Sequence, residues 1–147
     1  MTEYTAIQIS LRAGEDELLR IFLASDGNIK RIGDATTKGN RNSASGTQKE
    51  NLYANLVYEI PEGFEEYWDK VFDIPEKKGK TAELEIVQYG RENIRGMKFI
   101  YGTDSTGPPA PVINFVKTAI AITDPWYTKQ LPPPEPPPKK WWQILKK

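Results

Sequence analysis

Residues 132–138 read PPPEPPP, six prolines in seven positions and half of the twelve prolines in the chain. Proline lacks a backbone N–H and holds φ fixed, so this stretch can join neither a helix interior nor a central strand. It favours the polyproline II form, which at about 3.1 Å per residue gives a rod of roughly 20 Å. The chain therefore divides into residues 1–131, expected to form a single globular domain, and residues 132–147, a stiff spacer carrying the stub KKWWQILKK.

At 147 residues the chain suits one domain with one core, and its 38% apolar and 27% charged residues exclude wholesale disorder. Twenty basic and twenty acidic residues cancel, which argues against nucleic acid as a partner, because phosphate contacts need a surplus of Lys and Arg. The balance is uneven along the chain. The tail sets Lys139, Lys140, Lys146 and Lys147 against Glu135, a net of +3 that leaves −3 on the remainder. Without cysteine or histidine the chain has no thiolate chemistry and lacks the commonest metal ligand and the commonest general base near neutral pH. The opening MTEYTAIQIS shows no signal-peptide pattern, and no stretch approaches the roughly 20 apolar residues of a membrane-spanning helix. A soluble, cytoplasmic protein is expected, without cofactor or metal.

Thr5, Ile7, Ile9 and Leu11 alternate with Ala6, Gln8, Ser10 and Arg12, the period of a half-buried strand. A second strand is expected over ELLRIFLA, 17–24, a tight turn at Asp26-Gly27, and a third strand over IKRIG, 29–33. Residues 34–49 hold no apolar side chain larger than alanine and read as a mildly basic surface loop. NLYANLVYEI is read as a helix ended by Pro61, and FEEYWDKVF, 64–72, as another. Strands follow over TAELEIVQYG, 81–90, and GMKFIYG, 96–102. The last helix is expected over 111–123, with Val112, Val116, Ala119 and Ile120 on one stripe and Ile113 widening it. Asp124-Pro125 should end it, leaving Trp126 and Tyr127 to close over the core. The fold class is thus α+β, an antiparallel sheet of about five strands with two or three helices on one face.

No segment carries a recognisable catalytic motif. GTDSTG, 102–107, has the glycine spacing of a phosphate loop, but Pro108 and Pro109 stand where its lysine and hydroxyl residue belong. At most Thr103, Ser105 and Thr106 would bind an anion weakly. The carboxylates Glu62, Glu66 and Asp69 would share a helix face, which as a sequence pattern is equally a solvated surface. A carboxylate-dependent enzyme stays open as an alternative, with no residue pair selected for it.

The stub holds the strongest binding signal. Trp141, Ile144 and Leu145 fall on one face if WWQILKK turns helically. Trp141, Trp142, Ile144 and Leu145 are therefore expected to contact a partner protein, with Lys139 and Lys140 steering the encounter. The function read from the sequence is a non-catalytic adaptor tethered to another protein through this stub. Two other readings compete: attachment to a membrane surface through the same tryptophans and lysines, and folding back onto the chain's own core. Pro134, Pro137 and Lys139 also match the spacing of an SH3 ligand, which arises easily in so proline-dense a segment.

Overall fold

The computed structural model describes residues 4–36, 39 and 41–131. Two antiparallel runs meet side by side in one sheet. β1 (Tyr4–Ala13), β2 (Asp16–Ala24), β3 (Asn28–Gly33) and β4 (Ser43–Thr47) form a meander, and β1 also pairs with β6. β5 (Lys70–Asp73), β6 (Thr81–Gly90) and β7 (Ile94–Gly102) complete the seven-stranded order β4-β3-β2-β1-β6-β7-β5. Only β5 runs parallel to its neighbour, β7. The class is α+β as expected, with seven strands where the sequence suggested about five.

The period-two pattern works as read. Ile9 stands opposite Ile21 on one side and Ile86 on the other, Leu11 opposite Leu19 and Leu84, and Ile86 opposite Met97. These side chains, with Phe99, form a continuous apolar layer on one face. The turn at Asp26-Gly27 also forms: Gly27 takes φ +98, and the Asp26 carboxylate accepts the Asn28 N–H at 3.0 Å.

The helices lie on that apolar layer. α1 (Leu52–Tyr58) is capped by Asn51, whose side chain accepts the Ala54 N–H at 3.0 Å, and it buries Leu52, Tyr53 and Leu56. α2 (Ala110–Gln130) buries Val112, Phe115, Val116, Ala119, Thr123, Trp126 and Tyr127. Pro109 at its N-cap and Pro111 in its first turn remove N–H groups that would have no intrahelical partner.

Three sequence expectations are corrected. The segment 64–72 is not a helix: a 3₁₀ turn, Glu62–Glu66, buries Phe64, and the chain then extends into β5. Phe64, Tyr67 and Trp68 are spaced for a helix, but ring packing around Phe64 decides their positions instead. The loop 34–49 contains β4, whose ladder to β3 relies on backbone groups with Ala44 as its one half-buried side chain. Finally, α2 does not stop at Asp124. It continues through Pro125 to Gln130, and Trp126 and Tyr127 are buried as expected.

Arg31 explains that continuation. It sits on the core face of β3 with 1% of its surface exposed. Its Nε donates to the Gly33 carbonyl at 2.9 Å, and Nη1 donates to Thr123 Oγ1 and to the Asp124 carboxylate, each at 2.8 Å. The guanidinium lies 4.4 Å from the centre of the Tyr127 ring. A proline inside a helix costs about 3 kcal/mol. Burying Trp126 and Tyr127 returns roughly 1.5–3 kcal/mol each, and the Arg31 contacts add to that, so continuation wins.

The pair is asymmetric, because Arg31 is buried while the Asp124 side chain is 48% exposed. Removing the carboxylate takes the ion-paired partner from a buried cation that keeps only neutral acceptors, Gly33 and Thr123 among them, and the Tyr127 ring. Asp124→Ala should therefore cost on the order of 1–3 kcal/mol, less than a fully buried pair because the carboxylate is half in solvent. Adding Arg31→Met to it should restore part of that loss, as chemical denaturation of the four-member cycle will show. A double variant as unstable as the sum of both single changes would contradict this assignment.

Candidate functional site

Lys139, Lys140, Trp141, Trp142, Ile144 and Leu145, the residues singled out in the sequence, lie outside the described residues. The structure reaches the residue from which the tail departs. Leu131 caps α2 with φ −73 and ψ 147, which are polyproline II dihedrals, and it is half-buried against the core. The residue before a proline is driven to this region, so Pro132 dictates the helix end.

One concavity lies on a flank of α2, with a volume of about 280 Å³ and a lining that is mostly apolar. Leu11 and Leu84 form its floor from the sheet, and Ile113, Val116 and Ile120 form its wall from the helix. Tyr101, at the end of β7, closes one side, and burial pushes its phenol pKa up. Ile113 and Ile120 line it because the apolar stripe of α2 is wider than the sheet beneath can cover, and both stay half-exposed.

Asp34 and Lys117 make the polar rim, with Ala35 beside Asp34. The loop after β3 turns sharply to place Asp34 and Ala35: Gly33 has φ +73 and Ala35 has φ +74, a left-handed conformation that costs an alanine roughly 1–2 kcal/mol. The Ala35 N–H donates to the Leu18 carbonyl at 3.0 Å, which holds the turn. Tyr127 fixes the same loop from below. Its hydroxyl accepts the Gly33 N–H at 3.1 Å and donates to the Asn42 carbonyl at 2.6 Å. Asp34 is kept anionic: partial burial raises its pKa, but the Thr36 hydroxyl at 2.7 Å, the Thr36 N–H at 3.0 Å and the Arg31 charge outweigh it and lower the net value.

Two other clusters are structural. Phe72 stacks on Phe99 at 4.9 Å, and Tyr67 meets both edge-on at 5.8 and 5.9 Å, so these rings satisfy one another beside β5. Arg95 lies 4.7 Å from the Tyr4 ring centre and 4.1 Å from that of Trp68, and its Nε donates to Gln88 Oε1 at 2.8 Å. Both clusters bind β7 to its surroundings.

The weak anion loop is already occupied. The N–H groups of Thr103, Asp104 and Ser105 donate to the carbonyls of Lys80, Lys78 and Gly102, and Thr103 Oγ1 accepts the Lys80 N–H at 3.1 Å. Among the described residues no group of three or more Asp or Glu converges to hold a metal, and Glu62, Glu66 and Asp69 share no helix face, because the turn there is 3₁₀. Asp69 instead takes φ +63 and accepts the Gly96 N–H at 3.3 Å. No helix among the described residues is long and apolar enough to cross a membrane.

Sequence reasoning missed the rim, since Asp34 and Ala35 read as part of a surface loop and nothing in the helix pattern singled out Lys117. The width of the α2 stripe was the available signal. No protein-family model matches the chain, and no curated protein is similar to it.

The depressed pKa gives a testable sign. Asp34 contributes stability above its ordinary value of 3.8, and that contribution is lost as pH falls through the lower folded value. Thr36→Val should raise the Asp34 pKa, as measured by carboxyl carbon shifts during a pH titration. An unchanged pKa would mean that the Thr36 hydroxyl does not hold the carboxylate.

Proposed function

We propose that this chain is a non-catalytic adaptor, a folded domain that ties itself to a partner protein through Trp141, Trp142, Ile144 and Leu145, with Lys139 and Lys140 steering the approach. The observation that carries the reading is Leu131. It packs against the core and leaves α2 already in polyproline II dihedrals, which supports a proline rod rooted in the longest helix of the domain. A stiff spacer limits the volume its end explores, which raises the effective concentration of the stub at any partner within reach. Trp68 and Trp126 are both buried in the core.

The interaction is moderate by design. Two tryptophans bury about 150–250 Å² each, at most roughly 8–12 kcal/mol, while ordering seven residues costs roughly 7–14 kcal/mol. Such a contact works best beside a second one, so the partner is expected to be encountered in an assembly rather than captured alone.

The test compares the full chain with the Trp141→Ala, Trp142→Ala double variant. Protein captured from a lysate of the source cells should be retained by the first and lost by the second, and neither should bind anionic vesicles. Vesicle binding that disappears in the double variant would replace this reading with membrane attachment. Equal capture by both forms would refute a role for the stub.

A further inference from the structure

The α2-flank cavity and the start of the tail lie on the same side of the helix, and their separation matches the length of the proline rod. Leu131 follows Ile113 by eighteen residues, which is about five turns at 3.6 residues per turn. The two positions therefore share one flank, the flank on which Ile113, Lys117 and Ile120 line the cavity. The opposite flank, with Ile122, Pro125 and Lys129, faces a different concavity beside the end of β4. At about 1.5 Å per residue, the cavity residues of α2 lie roughly 16–27 Å back along the helix from Leu131. Seven residues of polyproline II span about 22 Å. A rod doubling back along this flank thus brings Lys139 and Lys140 to the cavity and the tryptophans to its mouth.

We infer that the cavity formed by Leu11, Leu84, Tyr101, Ile113 and Val116 is the resting seat of a tryptophan from the chain's own tail. Size and charge agree. A dry cavity of about 150 Å³ holds benzene, and this one, at about 280 Å³, has room for the larger indole ring. Asp34 at the rim is held anionic and attracts a tail of net +3, while Asp124, on the same flank, is already paired with Arg31. Lys117 opposes that attraction in part. Leu131 abandons the helical dihedrals while packed on the core, so the chain leaves α2 from the domain surface.

The inference rests on the stub being the partner contact, and it adds a regulation. A tryptophan seated in the cavity is withheld from the partner, whose apparent affinity falls in proportion to the open fraction. Filling the cavity from within should therefore tighten partner binding.

A nitroxide reads the seat directly, because the native chain contains no cysteine to compete for the label. With the label on Lys117→Cys in the full chain, the indole N–H signals of Trp141 or Trp142 should broaden away. Adding Ile113→Trp, which fills the cavity, should restore them. Tail signals that stay sharp in the labelled chain overturn the inference while leaving the adaptor reading standing. Broadening that disappears on dilution also overturns it, since the tail would then sit in a second copy. Should Ile113→Trp unfold the domain, Asp34→Lys replaces it and must likewise sharpen the tail signals, or the inference fails. The adaptor reading fails separately, when the double tryptophan variant still captures the partner.

Discussion

A guanidinium buried in the core organises the helical side of this domain. Arg31 lies between β3 and α2 with its donors committed to Gly33, Thr123 and Asp124 and its face against Tyr127. Burying a cation is costly unless it is paired and hydrogen-bonded, so the elements supplying its partners are held in fixed register. Thr123 can accept from Arg31 because its own hydroxyl proton goes to the Ala119 carbonyl at 2.8 Å. Each contact constrains the next, from strand through helix to the loop beyond. Tyr127, carried by the last turns of α2, ties that loop down at Gly33 and at Asn42.

From this lock follow the two features that matter for function. The first is the cavity rim, since Asp34 and Ala35 stand where they do because Gly33 is held from both sides. The second is the start of the tail. Had α2 ended at Asp124, residues 125–131 would lead to the proline run as a loop, and Leu131 would not be set by the helix. Continuation through Pro125 carries the helix to Gln130 and sets Leu131 on the flank of the cavity.

The strands whose side chains alternate, β1 and β6 above all, were legible because one face is buried and the other is half-exposed, which is what period two encodes. β4 was not, because SASGT joins the sheet through its backbone and displays almost no apolar signal. β5 was hidden inside FEEYWDKVF, where aromatic spacing mimics a helix while the rings pack around Phe64 and Phe99. Pro125 misled for a further reason: a local rule about proline was overruled by tertiary contacts to Arg31, a residue whose charge argued for the surface. Of the site, the apolar wall of α2 was visible as a wide stripe. The rim was not, because Asp34 and Ala35 acquire their role only when the turn at Gly33 folds over the helix.

Amide hydrogen exchange along α2 tests the lock most directly. If Arg31 holds the helix across Pro125, residues 126–130 should exchange as part of one protected unit with residues 115–123, fraying only at the last turn. Exchange beyond Pro125 that is fast and independent of the preceding turns would contradict it. The tail would then start from a loose segment, and the geometry that joins it to the cavity would be lost.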